Sequence, residues 1–150
     1  MNEKVVAVNR RARHDYFLED FYEAGIELTG TEIKSIRQGK VQFKEAYIDF
    51  TFNNEAYVVD MHISEYDHGN IFNHDETRKR KLLLHKYEIK SLKKAVQVKG
   101  YTVVPVRMYL KGGLCKLEIA LAKGKDLYDK RQSLKERDVK REIEKAMKTQ

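Results

Sequence analysis

The stretch KLEIALAKGKDLYDKR, residues 116–131, limits the fold more than any other part of the chain. Its first half alternates: Leu117, Ile119 and Leu121 fall on one side, and Lys116, Glu118 and Ala120 on the other. A period of two marks a half-buried β-strand. The apolar pattern stops at Ala122, and Lys123-Gly124-Lys125 opens a polar run that lasts to Gln150. A folded body over residues 1–122 therefore hands over to a tail, residues 123–150, that has no core of its own. The tail holds ten Lys/Arg against six Asp/Glu, a net +4 out of +7 for the whole chain. Ser133 and Glu136 match a capping box, and Glu136/Lys140 and Glu144/Lys148 are favourably oriented pairs. Its apolar stripe of Val139, Ile143 and Met147 is thin, and an isolated helix of this length is marginal in water. The tail is expected to be disordered alone and helical against a partner.

Within the body, residues 16–28 read as a long strand anchored by Phe17, Phe21 and Leu28. Its alternation breaks at Leu18 and near Gly25, as a bulge would cause. Thr31 is placed to cap a short helix that carries Ile33 and Ile36 on one face and ends at Gly39, with Glu32 in its first turn. Two alternating runs follow, Ile48/Phe50/Phe52 and Tyr57/Val59/Met61/Ile63, with Asn53-Asn54 as the turn between them. A polar loop then leads through Leu82-Leu83-Leu84 to a helix over about 86–98, with Ile89, Leu92 and Val96 as its stripe and Gly100 at its end. The next strand puts Val104, Val106, Met108 and Leu110 on one face. Pro105 has no donor to give, so that strand should run at an edge or through a bulge. Gly112-Gly113 makes a tight hairpin into the alternating stretch. Five or six strands with short helices predict a mainly β fold, a small closed antiparallel barrel of the oligonucleotide-binding type, with a β-sandwich as the alternative.

The charge balance indicates an anionic partner. Residues 78–94 hold eight Lys/Arg against one acidic residue. Arg10, Arg11 and Arg13 neighbour His14 and Tyr16, and Arg78-Lys79-Arg80-Lys81 runs into Leu82. Basic groups bind phosphate without reading sequence, and interleaved rings stack on unpaired bases. His14-Asp15 and His74-Asp75 are the pairs a ribonuclease could use as acid and base. No ligand spacing for a metal and no glycine-rich cofactor fingerprint is present, so no cofactor is expected. The single cysteine, Cys115, allows no internal disulfide, and the apolar run Val5–Val8 is too short for a signal peptide or membrane span. Both fit a cytoplasmic protein.

The segments NRRARHDYFLED, EAGIEL, GTEIKSIR, KEAY, RKLLLH, KGYTVVP, KLEIALAKGK and YDKR, in this order from about Asn9 to Arg141, resemble the small protein B (SmpB) family of bacterial tmRNA-binding proteins. The resemblance implies a non-enzymatic role in trans-translation. Such a protein binds the tRNA-like domain of tmRNA and enters the A site of a 70S ribosome stalled without a stop codon. There it contacts small-subunit rRNA, and elongation factor Tu joins the alanyl-tmRNA complex. By position, the family's RNA contacts fall on Glu32, Leu83 and His85. By proximity to the matched motifs, His14, Tyr16, Lys34, Arg37, Asn70 and Lys81 join them. Glu32 would accept hydrogen bonds from base or 2′-hydroxyl donors. Removing it should then cost RNA binding and leave the fold intact. Asp129, Lys130 and Arg131 match the element near the decoding centre. Lys123, Lys125 and Tyr128 lie beside it, Tyr128 as a ring that can stack on a base. Two positions depart from the family pattern: His85, where many members carry Asn, and Asp126, where many carry Lys.

Overall fold

The computed structural model describes residues 3–67 and 73–125. The elements in chain order are β1 (Glu3–Val8), α1 (Arg10–Asp15), β2 (Tyr16–Ile26), α2 (Gly30–Arg37), β3 (Val41–Gln42) and β4 (Tyr47–Phe50). They continue with β5 (Ala56–Val59), β6 (His62–Ile63), β7 (Arg80–Leu83), α3 (Lys86–Lys99), β8 (Thr102–Lys111) and β9 (Leu114–Gly124). Seven strands form one antiparallel sheet in the order β1-β8-β9-β2-β7-β5-β4, and β3 pairs with β6 separately.

The longest ladder joins β2 to β9, from Tyr16 opposite Gly124 to Gly25 opposite Lys116. The alternating stretch is thus the middle of the sheet, with Leu117 and Ile119 fully buried and Leu121 nearly so. The strand runs two residues past Ala122: Lys123 pairs with Phe17 and Gly124 with Tyr16. Backbone pairing therefore continues two residues beyond the point where the apolar pattern ends. Gly112 and Gly113 turn the β8–β9 hairpin with φ of 57° and 80°, which only glycine adopts freely.

Three ladders contain an extra residue. In β2 it is Asp20, at φ 48°. In β8 it is Val106, next to Pro105. In β1 it is Val6. Each bulge adds bend and twist, and the sheet wraps until β4, its last strand, lies beside β8, the second from the other end. Among the described residues no ladder joins them. The closed barrel expected from the strand count is therefore a strongly curled open sheet. Pro105 stands in an inner strand, not an edge, and the bulge is what lets it stay there.

The bulges also decide which residues face inward. Phe17 and Phe21, expected as anchors, are 41% and 49% exposed, and Ala24 and Ile26 fill the interior instead. On β8 the main core takes Val103 before the bulge and Met108 after it, while Val104 packs against Ala12 of α1 and Ala122 of β9. The β4–β5 hairpin departs similarly. Asn54 has the positive φ its turn needs, but Asp60, also at positive φ, reverses the alternation after β5. Ala56 and Val58 point inward with Met61 and Ile63, not with Tyr57, and Phe52 is 92% exposed. On α3, Ile89 and Leu92 are buried with Val96 beside them, and Gly100 closes the helix at φ 70°. Cys115 is half-buried, its thiol pushed up to about 11 by desolvation.

Neither β1 nor α1 is apparent from apolar periodicity. What joins them is Asn9. Its Oδ1 accepts from the Ala12 N–H at 3.1 Å, its Nδ2 donates to the Pro105 carbonyl at 2.8 Å, and its own N–H donates to the Val106 carbonyl at 2.8 Å. One buried amide thus caps α1 and satisfies the backbone at the β8 bulge. Asn9→Ala is expected to cost about 1–3 kcal/mol, the range for a lost cap that leaves a buried carbonyl unpaired. Urea unfolding checks this, and a loss below about 0.5 kcal/mol, no more than an ordinary surface change, would contradict it.

Candidate RNA-binding surface

The expected RNA-contacting residues divide between two ends of the β2–β9 ladder. Gly25 at one end pairs with Leu83, whereas Tyr16 at the other pairs with Gly124. At about 3.3 Å per residue the two ends lie up to about 30 Å apart.

At the Gly25 end, Lys81, Leu83 and His85 line one open groove together with Asn53, Asn54 and Lys86. Strand β7 presents Lys81 and Leu83 outward because Arg80 and Leu82 point inward. Leu83 is 52% exposed, unusual for a leucine in a paired strand. Gly25 lets it lie close, since a Cβ on Gly25 would come within 3.2 Å of the Leu83 Cβ. Lys81 reaches Glu55 at 3.9 Å. His85 is the N-cap of α3, where its N–H donates to Glu88 Oε1 at 3.0 Å. Its ring stacks on Tyr87, centroids 5.3 Å apart and planes 11° from parallel.

Glu32 is not on this surface. It is fully buried, the third residue of α2, and forms a capping box with Thr29 rather than with Thr31. The Thr29 N–H donates to Oε1 at 2.8 Å. Arg78 donates through Nη2 to Oε1 at 2.5 Å and through Nε to Oε2 at 3.1 Å, and Arg80 Nε donates to Oε2. Arg80 is itself wholly buried and spends its other donors on the carbonyls of Met61, Asp75 and Glu76. An acceptor facing RNA, as expected for Glu32, is therefore not what the side chain is. Nor is Arg78-Lys79-Arg80-Lys81 a single phosphate-binding run, because strand alternation sends Arg80 into the core. Burial alone would push the Glu32 carboxyl up. The hydrogen bonds from Arg78, the Thr29 backbone and Arg80 outweigh it, and the carboxyl lies below its ordinary value.

Lys34 and Arg37 stand on the outer side of α2, with Lys34 Nζ 5.4 Å from the Tyr66 ring centre. Asn70 lies outside the described residues. Near α2, His74 is buried with both ring nitrogens engaged. Nε2 faces the Ile63 carbonyl at 2.8 Å, so it carries the proton, and Nδ1 accepts from the Thr31 hydroxyl at 2.9 Å. This imidazole ties a loop to α2 with both ring nitrogens already engaged, contrary to the ribonuclease reading of His74-Asp75. His62, in β6, pairs with Glu76 at 3.1 Å.

At the Tyr16 end, His14 is 89% exposed and holds Asp15 at 2.9 Å. That hydrogen bond holds the Asp15 carboxyl below its ordinary value. Tyr16 packs against the cluster of Ala12, Val104 and Ala122. Lys125 Nζ donates to the Arg13 carbonyl at 3.3 Å and lies 5.4 Å from the Phe17 ring centre. His14, Tyr16, Lys123 and Lys125 are thus neighbours, whereas Tyr128, Asp129, Lys130 and Arg131 lie outside the described residues. Among the described residues no group of three His, Cys, Asp or Glu side chains could hold a metal, and no helix is long and apolar enough to cross a membrane.

The buried triad generates a stability prediction opposite to the one drawn from the family resemblance. Glu32→Gln should destabilise by about 3–5 kcal/mol, because it removes one partner from two arginines, one of them fully buried. The pH sign follows from the lowered carboxyl. Its contribution is complete above the unfolded value of about 4.5 and fades as pH falls through the lower folded value. Thermal melts from pH 7 to pH 3 should therefore decline less steeply for Glu32→Gln than for wild type, and parallel declines would remove the linkage.

The whole chain has relatives. The family model of the SmpB protein matches residues 6–149. The SsrA-binding protein of Caldanaerobacter subterraneus subsp. tengcongensis is 57% identical over 145 residues, 97% of this chain and 91% of that one. That of Shouchella clausii is 55% identical over 145 residues, 97% and 92% of the two chains. A solved structure described as "tmRNA-SmpB: a journey to the center of the bacterial ribosome" superposes with a TM-score of 0.68 at 47% identity, over 79% of this chain and 83% of that one. Likeness in sequence over nearly the full length, and in fold over most of it, leads to one conclusion: the chain belongs to the SmpB family.

Proposed function

We propose that this protein binds the tRNA-like domain of tmRNA and delivers it to the A site of stalled ribosomes, where trans-translation rescues the ribosome and tags the nascent chain. The observation that carries the reading is the 57% identity with an SsrA-binding protein over 97% of this chain, joined by a likeness in fold to the tmRNA-SmpB structure over 79% of it. On this reading the protein acts in the cytoplasm by binding, not by catalysis. Its curled sheet serves as an oligonucleotide-binding-type platform, and elongation factor Tu joins it on alanyl-tmRNA.

The two ends of the β2–β9 ladder support a division of labour. The groove of Lys81, Leu83 and His85 takes the tRNA-like RNA, with Lys34, Arg37 and Asn70 on the same task. Glu32 contributes from below, by holding Arg78 and fixing which residues of β7 face outward. The opposite end carries His14, Tyr16, Lys123 and Lys125. Tyr128, Asp129, Lys130 and Arg131 reach the decoding centre, and the rest of the tail becomes helical along small-subunit rRNA.

Leu83→Asp changes an exposed side chain, so it should leave the melting temperature within a few degrees. It should weaken binding of tRNA-like RNA by about 1–3 kcal/mol, as for a lost apolar contact at a desolvated interface. Filter binding and a thermal melt test it together. Unchanged affinity would remove the groove, and an unstructured strand bound as well as the folded RNA would leave only a generic single-strand binder.

Deleting residues 126–150, or replacing Asp129, Lys130 and Arg131 together by Ala, should keep thermal stability and most affinity for tmRNA. Tagging of a chain stalled at an mRNA end should fail. Normal tagging by either variant, or loss of tmRNA binding on truncation, would overturn the division.

A further inference from the structure

The His85–Tyr87 stack is not explained by anything in the fold. Tyr87 is 72% exposed, at the second position of α3, and contributes nothing to the core. His85 lies against one face of its ring, and the 72% exposure of Tyr87 leaves most of the rest to solvent. A stacked pair on a surface is a prepared aromatic platform, since the ring is already oriented before a ligand arrives. Beside it runs the groove that holds Asn53, Asn54, Lys81 and Lys86. On one wall the Asn53 Oδ1 already accepts from the Thr51 hydroxyl, which leaves the Asn53 Nδ2 and the Asn54 amide to meet a ligand. Lys86, adjacent to both rings, has no ion pair among the described residues.

We propose that this platform takes a single unpaired nucleobase of the bound RNA, stacked on the outer face of Tyr87, with its phosphate toward Lys86 and its edge toward the asparagine wall. This rests on the RNA-binding reading above and makes it more specific. A base inside a duplex has both faces covered, so only one turned out of a loop fits here. A flat apolar ring flanked by amides and ammonium groups suits a base better than an aliphatic side chain, because it supplies a π-face, an edge and a charge together. Aromatic contacts of this kind tolerate every base, so the position would add affinity and fix the register of the RNA loop without reading sequence.

The test uses the full chain and tRNA-like-domain RNAs, each carrying 2-aminopurine at one unpaired position, with fluorescence read as protein is added. One position should be quenched by wild type and by Tyr87→Phe, and released in Tyr87→Ala. Tyr87→Ala should also bind roughly tenfold more weakly, the effect of one lost stacking contact. Its helix content and melting temperature should match wild type, because the ring packs on no core residue. If Tyr87→Ala binds within twofold of wild type and no position responds to it, the platform is wrong while the RNA-binding reading stands. If wild type shows no preference for the tRNA-like RNA, the reading itself falls, and this proposal with it.

Discussion

The buried contact between Glu32 and two arginines organises the half of the molecule that carries the groove of Lys81, Leu83 and His85. Glu32 belongs to α2, Arg80 to β7, and the carbonyls that complete Arg80 come from Met61, Asp75 and Glu76. Arg78 adds the Glu27 carbonyl at the end of β2. A charge so deep is tolerable only with nearly every donor and acceptor engaged, and here they are. One consequence is register. With Arg80 fixed inward, the alternation of β7 must send Lys81 and Leu83 outward, and a slip of one residue would reverse both. A residue that never meets the ligand thus decides which residues do.

The bulges do for shape what the triad does for register. An uninterrupted sheet of seven strands would twist without coming round on itself. The extra residues at Val6, Asp20 and Val106 bend three of the four longest ladders in the same region. Phe17 and Phe21, which flank the Asp20 bulge, both remain exposed. The outer surface gains a second ion-paired layer across β1, β8, β9 and β2. There Arg107 reaches Glu3 and Glu118 and lies 4.3 Å from the Tyr109 ring centre, and the Tyr109 hydroxyl donates to Glu23 at 2.6 Å. Burial, then that bond, raises the Tyr109 hydroxyl well above its usual range, while the same bond, with Lys111, keeps Glu23 low.

Where alternation runs unbroken the sequence was legible, as in β9, and the helix ends at Gly39 and Gly100 followed from glycine alone. It failed where backbone irregularity lies between correct elements. Asp60 at φ 62° turns the face of Val58 and Val59 against expectation, and no apolar count detects it. Strand β1 and helix α1 are short and depend on Asn9, whose two long-range bonds have no local signature beyond an asparagine before a helix-forming run. Glu32 was misplaced for another reason. Its residue type says surface, and only the arginines 46 and 48 positions away make burial tolerable. The groove residues Leu83 and His85 came from resemblance, not from periodicity, and Tyr87 came from neither.

The spatial arrangement constrains the mechanism more than any single contact. The groove and the Tyr16–Gly124 end are separated by the β2–β9 ladder, with nine residue pairs from Tyr16 to Gly25. The connection between the two ends is a long antiparallel pair, interrupted only by the Asp20 bulge, with Leu117, Ile119 and Leu121 buried along one face of β9. On the proposed reading, the length of that ladder sets the distance between the groove and the pair Tyr16–Gly124. Changes in the groove should alter how much RNA is held, changes at Lys123 and beyond should alter what happens after it arrives, and only damage to the ladder or to the Glu32 triad should alter both.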